Sequence, residues 1–151
     1  MTKIDDRDWL LKAIDLSRRC PLSQKAFCVG AIIIGAKGDL ISTGFSRERN
    51  PREHAEETAI NKAIEQRTDL TAATIYTSLE PCSPRLSGSK SCTDLIIDCG
   101  IKRVVFALYE PPVFVACNGA DRLREHRIEV VVMAEFAELV EEINKPVCAE
   151  K

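Results

Sequence analysis

No stretch of this 151-residue sequence approaches the roughly 20 apolar residues that a membrane helix requires, which argues against a membrane-embedded protein. The N-terminal segment MTKIDDRDWLLKAIDLSRR is amphipathic, with Asp5, Asp6 and Asp8 near its start. It lacks the basic start and apolar core of a secretory leader, so a cytoplasmic protein is expected. An excess of positive charge is missing too: residues 1–75 carry 12 basic and 11 acidic side chains, residues 76–151 carry 9 and 12, and the net charge is −2. Binding to a phosphate backbone favours a basic face, so nucleic acid is disfavoured and a small molecule is the expected partner. Internal repeats, low-complexity tracts and linkers are absent, and one domain over residues 1–151 is expected.

Histidine is scarce, with two in the chain, whereas cysteine is plentiful, at positions 20, 28, 82, 92, 99, 117 and 148. The odd count and scattered spacing do not suggest a disulfide framework. Cys28 and Cys99 lie in apolar contexts and read as core thiols.

Periodicity supplies the elements. Trp9, Leu10, Ala13, Ile14 and Leu16 fall on one stripe of a helix over residues 5–19. Residues 29–34 form a short apolar β-branched run, a turn follows at 36–39, and residues 40–43 return as a second strand, making a hairpin. A helix is expected over 54–66, a strand over 74–79, and a short helix over 92–99 that ends at Gly100. Strands at 103–107 and 128–133 alternate with helices near 120–125 and 134–143. A hairpin followed by βα units implies an α/β fold with parallel strands and helices on both faces.

His126 sits between charged neighbours and reads as a surface residue. His54 opens a helix, with Glu56 two positions on. Further along, Glu80-Pro81-Cys82 closes a strand and Cys92 starts a helix. The set is H-x-E … P-C-x9-C, a variant of the zinc deaminase pattern. One imidazole and two thiolates suit tetrahedral Zn²⁺ with an open fourth position. Both helix starts favour anionic donors. Zinc lowers the pKa of water to about 7, and Glu56, which is not a ligand, is placed to move the proton. Singly, each residue also has an ordinary reading: Glu56 as a solvated carboxylate, Cys82 and Cys92 as core thiols. A purely structural zinc site is the chemical rival, but Cys99, Cys117 and His126 do not pair with Cys82 or Cys92 at the short spacing such sites use.

Further stretches carry a family resemblance. Val29-Gly30-Ala31, Ser42-Thr43-Gly44-Phe45-Ser46, His54-Ala55-Glu56-Glu57, Thr77-Ser78-Leu79-Glu80-Pro81-Cys82-Ser83 and Cys92-Thr93-Asp94-Leu95-Ile96-Ile97 are similar to the cytidine deaminase-like superfamily. Within it they look closest to the pyrimidine deaminase domain of riboflavin biosynthesis. The long gap between the cysteines resembles that group, and the segments at 83–88 and 110–115 look like its fungal type. The resemblance implies a three-layer α/β/α sandwich with a five-stranded mixed sheet in the order 2-1-3-4-5. It also implies a hydrolytic deaminase, a homodimer, and a diamino-pyrimidinone substrate bearing a phosphorylated ribosyl or ribityl chain. Deamination of another nucleotide or nucleobase (dCMP, cytosine, guanine) or of a specialised metabolite stays open, as does a non-catalytic zinc-stabilised module. Pocket candidates are Phe27, to stack on the ring or to fill the core; Ser46 and Glu48, to bond the ring edge; and Arg85 and Lys90, to hold phosphate or to sit at the surface.

Overall fold

A computed structural model describes residues 5–21, 26–82, 90–110 and 118–145. Arg85, Cys117 and Cys148 lie outside the described residues. The elements are α1 (Asp6–Ser17), β1 (Gly30–Ile34), β2 (Leu40–Phe45), α2 (Ala55–Glu65), β3 (Thr74–Leu79), α3 (Cys92–Cys99), β4 (Arg103–Leu108), α4 (Gly119–Glu125), β5 (Glu129–Val132) and α5 (Ala137–Ile143). The sheet order is β2-β1-β3-β4-β5, as the resemblance implied. β1 runs antiparallel to both β2 and β3, while β3, β4 and β5 are mutually parallel. Helices α1 and α5 cover one face, and α2, α3 and α4 lie in sequence on the other.

Burial explains the strand sequences. β1 is buried along its whole length, so its apolar run is continuous, whereas edge strand β2 alternates. The core joins Leu10, Ile14, Ile33, Ile60, Ile75, Val104, Phe106 and Leu123. Gly44 lets β2 meet α2, because a Cβ there would come within 2.5 Å of the Ala55 carbonyl oxygen. Asp6 fixes α1 to the sheet: its carboxylate accepts both Arg103 Nη atoms, at 2.7 and 2.6 Å, and the Tyr76 hydroxyl at 2.6 Å. The parallel pairing sets Leu79 beside Leu108, so the residues leaving the carboxyl ends of β3 and β4 emerge together. That edge is where open α/β sheets place their ligands.

The structure corrects two expectations. The last helix begins with a 3-10 turn, Ala134–Phe136, that buries the Phe136 ring under the Arg7 guanidinium, 5.0 Å from its centroid. Cys28 is not a core thiol, because it forms a disulfide with Cys20. Its apolar neighbours described its burial correctly. They carried no information about which residue comes to lie beside it.

Candidate metal centre

The site is assembled from chain ends. His54 is the N-cap of α2, in extended backbone, and its backbone N–H donates to Glu57 Oε1 at 3.2 Å. Glu57 therefore caps the helix, while Glu56 turns inward and is buried, with 3% exposure. Ser91 caps α3 by accepting from Asp94 N at 3.1 Å, which places Cys92 in the first turn. Cys82 follows β3, and its carbonyl accepts Thr93 N at 3.1 Å.

His54 Nδ1 lies 3.5 Å from Cys82 Sγ and 3.4 Å from Cys92 Sγ. All three donor atoms fall within 4.8 Å of one another, and among the described residues no other His, Cys, Asp or Glu joins them. The Cys92 backbone N–H points at Cys82 Sγ, 3.3 Å away. The Cys82 thiol is held well below the ordinary thiol range, chiefly by its hydrogen bond with the Cys92 side chain, with His54 adding to the effect against the cost of burial. Two sulfurs, one of them a thiolate at neutral pH, and an imidazole are the donor set zinc prefers, so these residues fit the metal. Burial drives the Glu56 carboxyl up to about 7, with the negative Cys82 adding to the rise and His54 opposing it.

Sequence reasoning missed two acids. Glu80 is buried and accepts Glu110 N at 3.0 Å through Oε1 and Ala120 N at 2.9 Å through Oε2. It thus ties the end of β3 to the end of β4 and the first turn of α4. Glu110 is pushed up to about 8 by burial and then by Cys82, Glu56 and Glu80, so it belongs to the same charge cluster. The position of Glu80 in Glu80-Pro81-Cys82 was visible; its partners were not. Only the Leu79–Leu108 register brings Glu110 alongside.

The structure gives the other pocket candidates clear surroundings. Phe27 is buried within the hydrophobic core. The Ser46 hydroxyl accepts Val29 N at 2.9 Å, fixing the approach to β1. Glu48 pairs with Lys62 at 2.5 Å, and the Lys90 ammonium pairs with Asp98 on α3. His126 is exposed, as expected.

Three potential metal donors carried by this motif, on a sheet of this order, define the cytidine deaminase-like fold. The chain belongs to the family described as the cytidine and deoxycytidylate deaminase zinc-binding region, whose model matches residues 3–108. It is 42% identical over 138 residues to the diaminohydroxyphosphoribosylamino-pyrimidine deaminase of Schizosaccharomyces pombe, covering 90% of this chain and 34% of that protein. It is 34% identical to riboflavin biosynthesis protein RibD of Aquifex aeolicus, over 84% of this chain and 34% of the relative. The chain therefore spans about a third of the length of these curated relatives. Among solved structures, the Thermotoga maritima diaminohydroxyphosphoribosylaminopyrimidine deaminase/5-amino-6-(5-phosphoribosylamino)uracil reductase superposes with a TM-score of 0.82 at 31% identity, covering 95% of this chain and 40% of that one. Aspergillus oryzae Rib2 deaminase, a C-terminal deletion mutant at pH 4.6, gives 0.77 at 26% identity, covering 95% and 97%.

Proposed function

We propose that this protein hydrolytically deaminates an amino-pyrimidine, with a riboflavin-pathway diamino-pyrimidinone ribosyl or ribityl phosphate as substrate. The observation that carries the reading is a buried carboxylate, Glu56, on the same helical turn as the N-cap His54 of the His54–Cys82–Cys92 cluster. The Schizosaccharomyces pombe relative supports the choice of substrate class. His54, Cys82 and Cys92 hold zinc, whose Lewis acidity makes hydroxide accessible near neutral pH.

Glu56 performs the proton work. It accepts the proton of the attacking water, passes it to the ring nitrogen next to the reacting carbon, and delivers a proton to the departing amine. Overall, water and the ring C–NH2 become a ring carbonyl and ammonia. Burial suits Glu56 to this cycle, since a carboxyl near neutrality exchanges protons in both directions. Glu110, at the rim of the same cluster, hydrogen-bonds the amino or carbonyl edge of the ring. Arg85 and Lys90 meet the phosphate, and Phe27, Ser46 and Glu48 shape the pocket wall from the β1–β2 side. The protein acts as a cytoplasmic homodimer; no helix among the described residues is long and apolar enough to cross a membrane.

The test is ammonia release by zinc-loaded protein across riboflavin-pathway diamino-pyrimidinones with ribosyl or ribityl phosphate, dCMP, cytosine and guanine. The riboflavin intermediates should be turned over fastest. Glu56→Gln should keep its zinc and lose at least ~10²-fold in turnover. Full turnover by that variant would remove Glu56 from the mechanism, and a best substrate outside the riboflavin set would replace the assignment.

A further inference from the structure

The Cys20–Cys28 disulfide has a cation against it. Arg47 Nη2 lies 2.9 Å from Cys20 Sγ and 3.4 Å from Cys28 Sγ. The rest of the guanidinium is held by carbonyls: Pro21 O accepts Nε at 3.1 Å and Nη2 at 2.6 Å, and Phe27 O accepts Nη1 at 3.5 Å. Among the described residues the guanidinium meets oxygens and sulfurs but no carboxylate. A cation fixed against a neutral disulfide has no counter-charge there. Reduction creates one, because the freed sulfur can stay a thiolate beside Arg47.

Cation-stabilised thiolates are the mark of disulfides that exchange, since favouring the reduced form makes the bond easier to open. The surroundings allow the bond to open without loss of the fold. Asn144, the C-cap of α5, holds the Cys28 backbone from both sides: Oδ1 accepts Cys28 N at 2.7 Å and Nδ2 donates to Cys28 O at 3.1 Å. Ser46 holds the next residue, Val29. The remaining described cysteines, Cys82, Cys92 and Cys99, form no disulfide, so among the described residues this bond stands alone.

We propose that Cys20–Cys28 is a reversible thiol–disulfide exchange site, with Arg47 as the seat for the thiolate of its reduced form and a dithiol as its co-reactant. A thiolate of the dithiol attacks Cys20 Sγ, on the less buried of the two residues, at 7% against 1% exposure. The S–S bond breaks and its electron pair leaves on Cys28 Sγ, beside Arg47. The second thiol of the reductant then closes on its own mixed disulfide and expels Cys20, which stays a thiolate against the nearer Arg47 Nη2, at 2.9 Å, while Cys28 takes up a proton. Two electrons have passed from dithiol to cystine, the dithiol departs as a disulfide, and one proton goes to solvent.

The experiment equilibrates zinc-loaded protein with graded ratios of reduced to oxidised dithiothreitol, quenches in acid, alkylates, and reads each cysteine by mass spectrometry. Cys20 and Cys28 should open together, and Arg47→Met should require about a tenfold higher reduced-to-oxidised ratio, the factor corresponding to one pKa unit of lost thiolate stabilisation. Arg47→Lys, which keeps the charge, should restore most of that difference. In reduced wild-type protein, alkylation of Cys20 should proceed at pH 7 as fast as at pH 8.5; this arm decides the matter even if the Arg47 variants fail to fold. A pair that opens at the same ratio with and without the Arg47 charge, a Cys20 that alkylates like an ordinary thiol, or thiols that never link in any buffer would each overturn the proposal.

Discussion

Gly119 opens α4, and replacing it with alanine separates two opposed expectations. Helix propensity alone favours the change, by about 0.5–1 kcal/mol. The structure reverses the sign. A Cβ at Gly119 would stand 2.0 Å from the Pro81 carbonyl oxygen and 2.7 Å from Thr93 Oγ1. The first of these contacts is backbone and cannot swing aside, so α4 must retreat from the Glu80-Pro81-Cys82 segment by more than 1 Å to reach ordinary contact distance, about 3.5 Å or a little less. Retreat stretches the 2.9 Å bond from Ala120 N to Glu80 Oε2. Overpacking costs about 1–3 kcal/mol and a hydrogen bond to a charged group contributes about 1.5–3 kcal/mol. With part of that bond lost and the propensity gain subtracted, Gly119→Ala should destabilise by roughly 2–4 kcal/mol. Because the same carbonyl precedes Cys82, zinc affinity should fall about 10–100-fold, the usual consequence of disturbing the support of a ligand. Urea unfolding with and without zinc, and competition against a chromophoric chelator, measure both. Gly38→Ala is the control: at φ 89° with open space around it, it should cost about 1–2 kcal/mol of backbone strain and leave zinc untouched. A Gly119→Ala protein as stable as wild type, with undiminished zinc affinity, would refute the reasoning.

Three further outcomes follow from the same geometry. Cys82→Ser and His54→Ala should each lose stoichiometric zinc by metal analysis and lower the melting temperature, because metal binding contributes folding energy; a variant with full zinc is not missing a ligand. Arg103→Met should cost about 1–2 kcal/mol at pH 7 after allowance for partial exposure. The Arg103 hydrogen bond, opposed by burial and aided by Tyr76, holds the Asp6 carboxyl below its ordinary value, so this stability is present above the unfolded Asp value of about 3.9 and disappears as pH falls through the folded one. Urea midpoints at pH 7 and pH 3 should therefore converge between variant and wild type, and an equal gap at both would contradict the linkage. Glu80→Gln keeps one acceptor and turns an amide N–H toward a backbone N–H, so it should raise KM while zinc stays bound; unchanged KM would show that Glu110 does not need Glu80 to hold it.

Much of this was legible because the site is local in sequence. His54, Ala55 and Glu56 share one helical turn, and Cys82 and Cys92 each sit at an element end that residue type announces. The elements followed from apolar period, and the sheet order came from resemblance to a family. Glu80 and Glu110 were not legible, since their partnership depends on parallel pairing of β3 with β4, a contact between residues 30 positions apart. The Cys20–Cys28 bond was missed for a related reason: Asn144 and Arg47, which frame it, lie 116 and 19 residues from Cys28. Ser46 shows how position and partner differ as signals: its place after β2 suggested a ligand contact, while its hydrogen bond from the Val29 backbone needed the fold to be seen.

Whether the metal works or merely braces the fold turns on its fourth corner. A bracing site closes the ion with four protein donors, whereas a working one leaves a position to water or substrate. Among the described residues the cluster has three donors, and two acids feel its charge: the carboxyls of Glu56 and Glu110 are both raised by burial and by the nearby Cys82. Acids in that condition suit an exchangeable water better than a permanent ligand. Cobalt substitution reads the corner directly. The Co²⁺ protein should show the absorption of a tetrahedral site with two thiolates, and added azide should shift the visible bands by displacing a solvent ligand. Cys117→Ser should leave the spectrum unchanged. A spectrum blind to azide but altered by Cys117→Ser would mean that a fourth sulfur seals the ion, and the deaminase mechanism would have no place to bind its water.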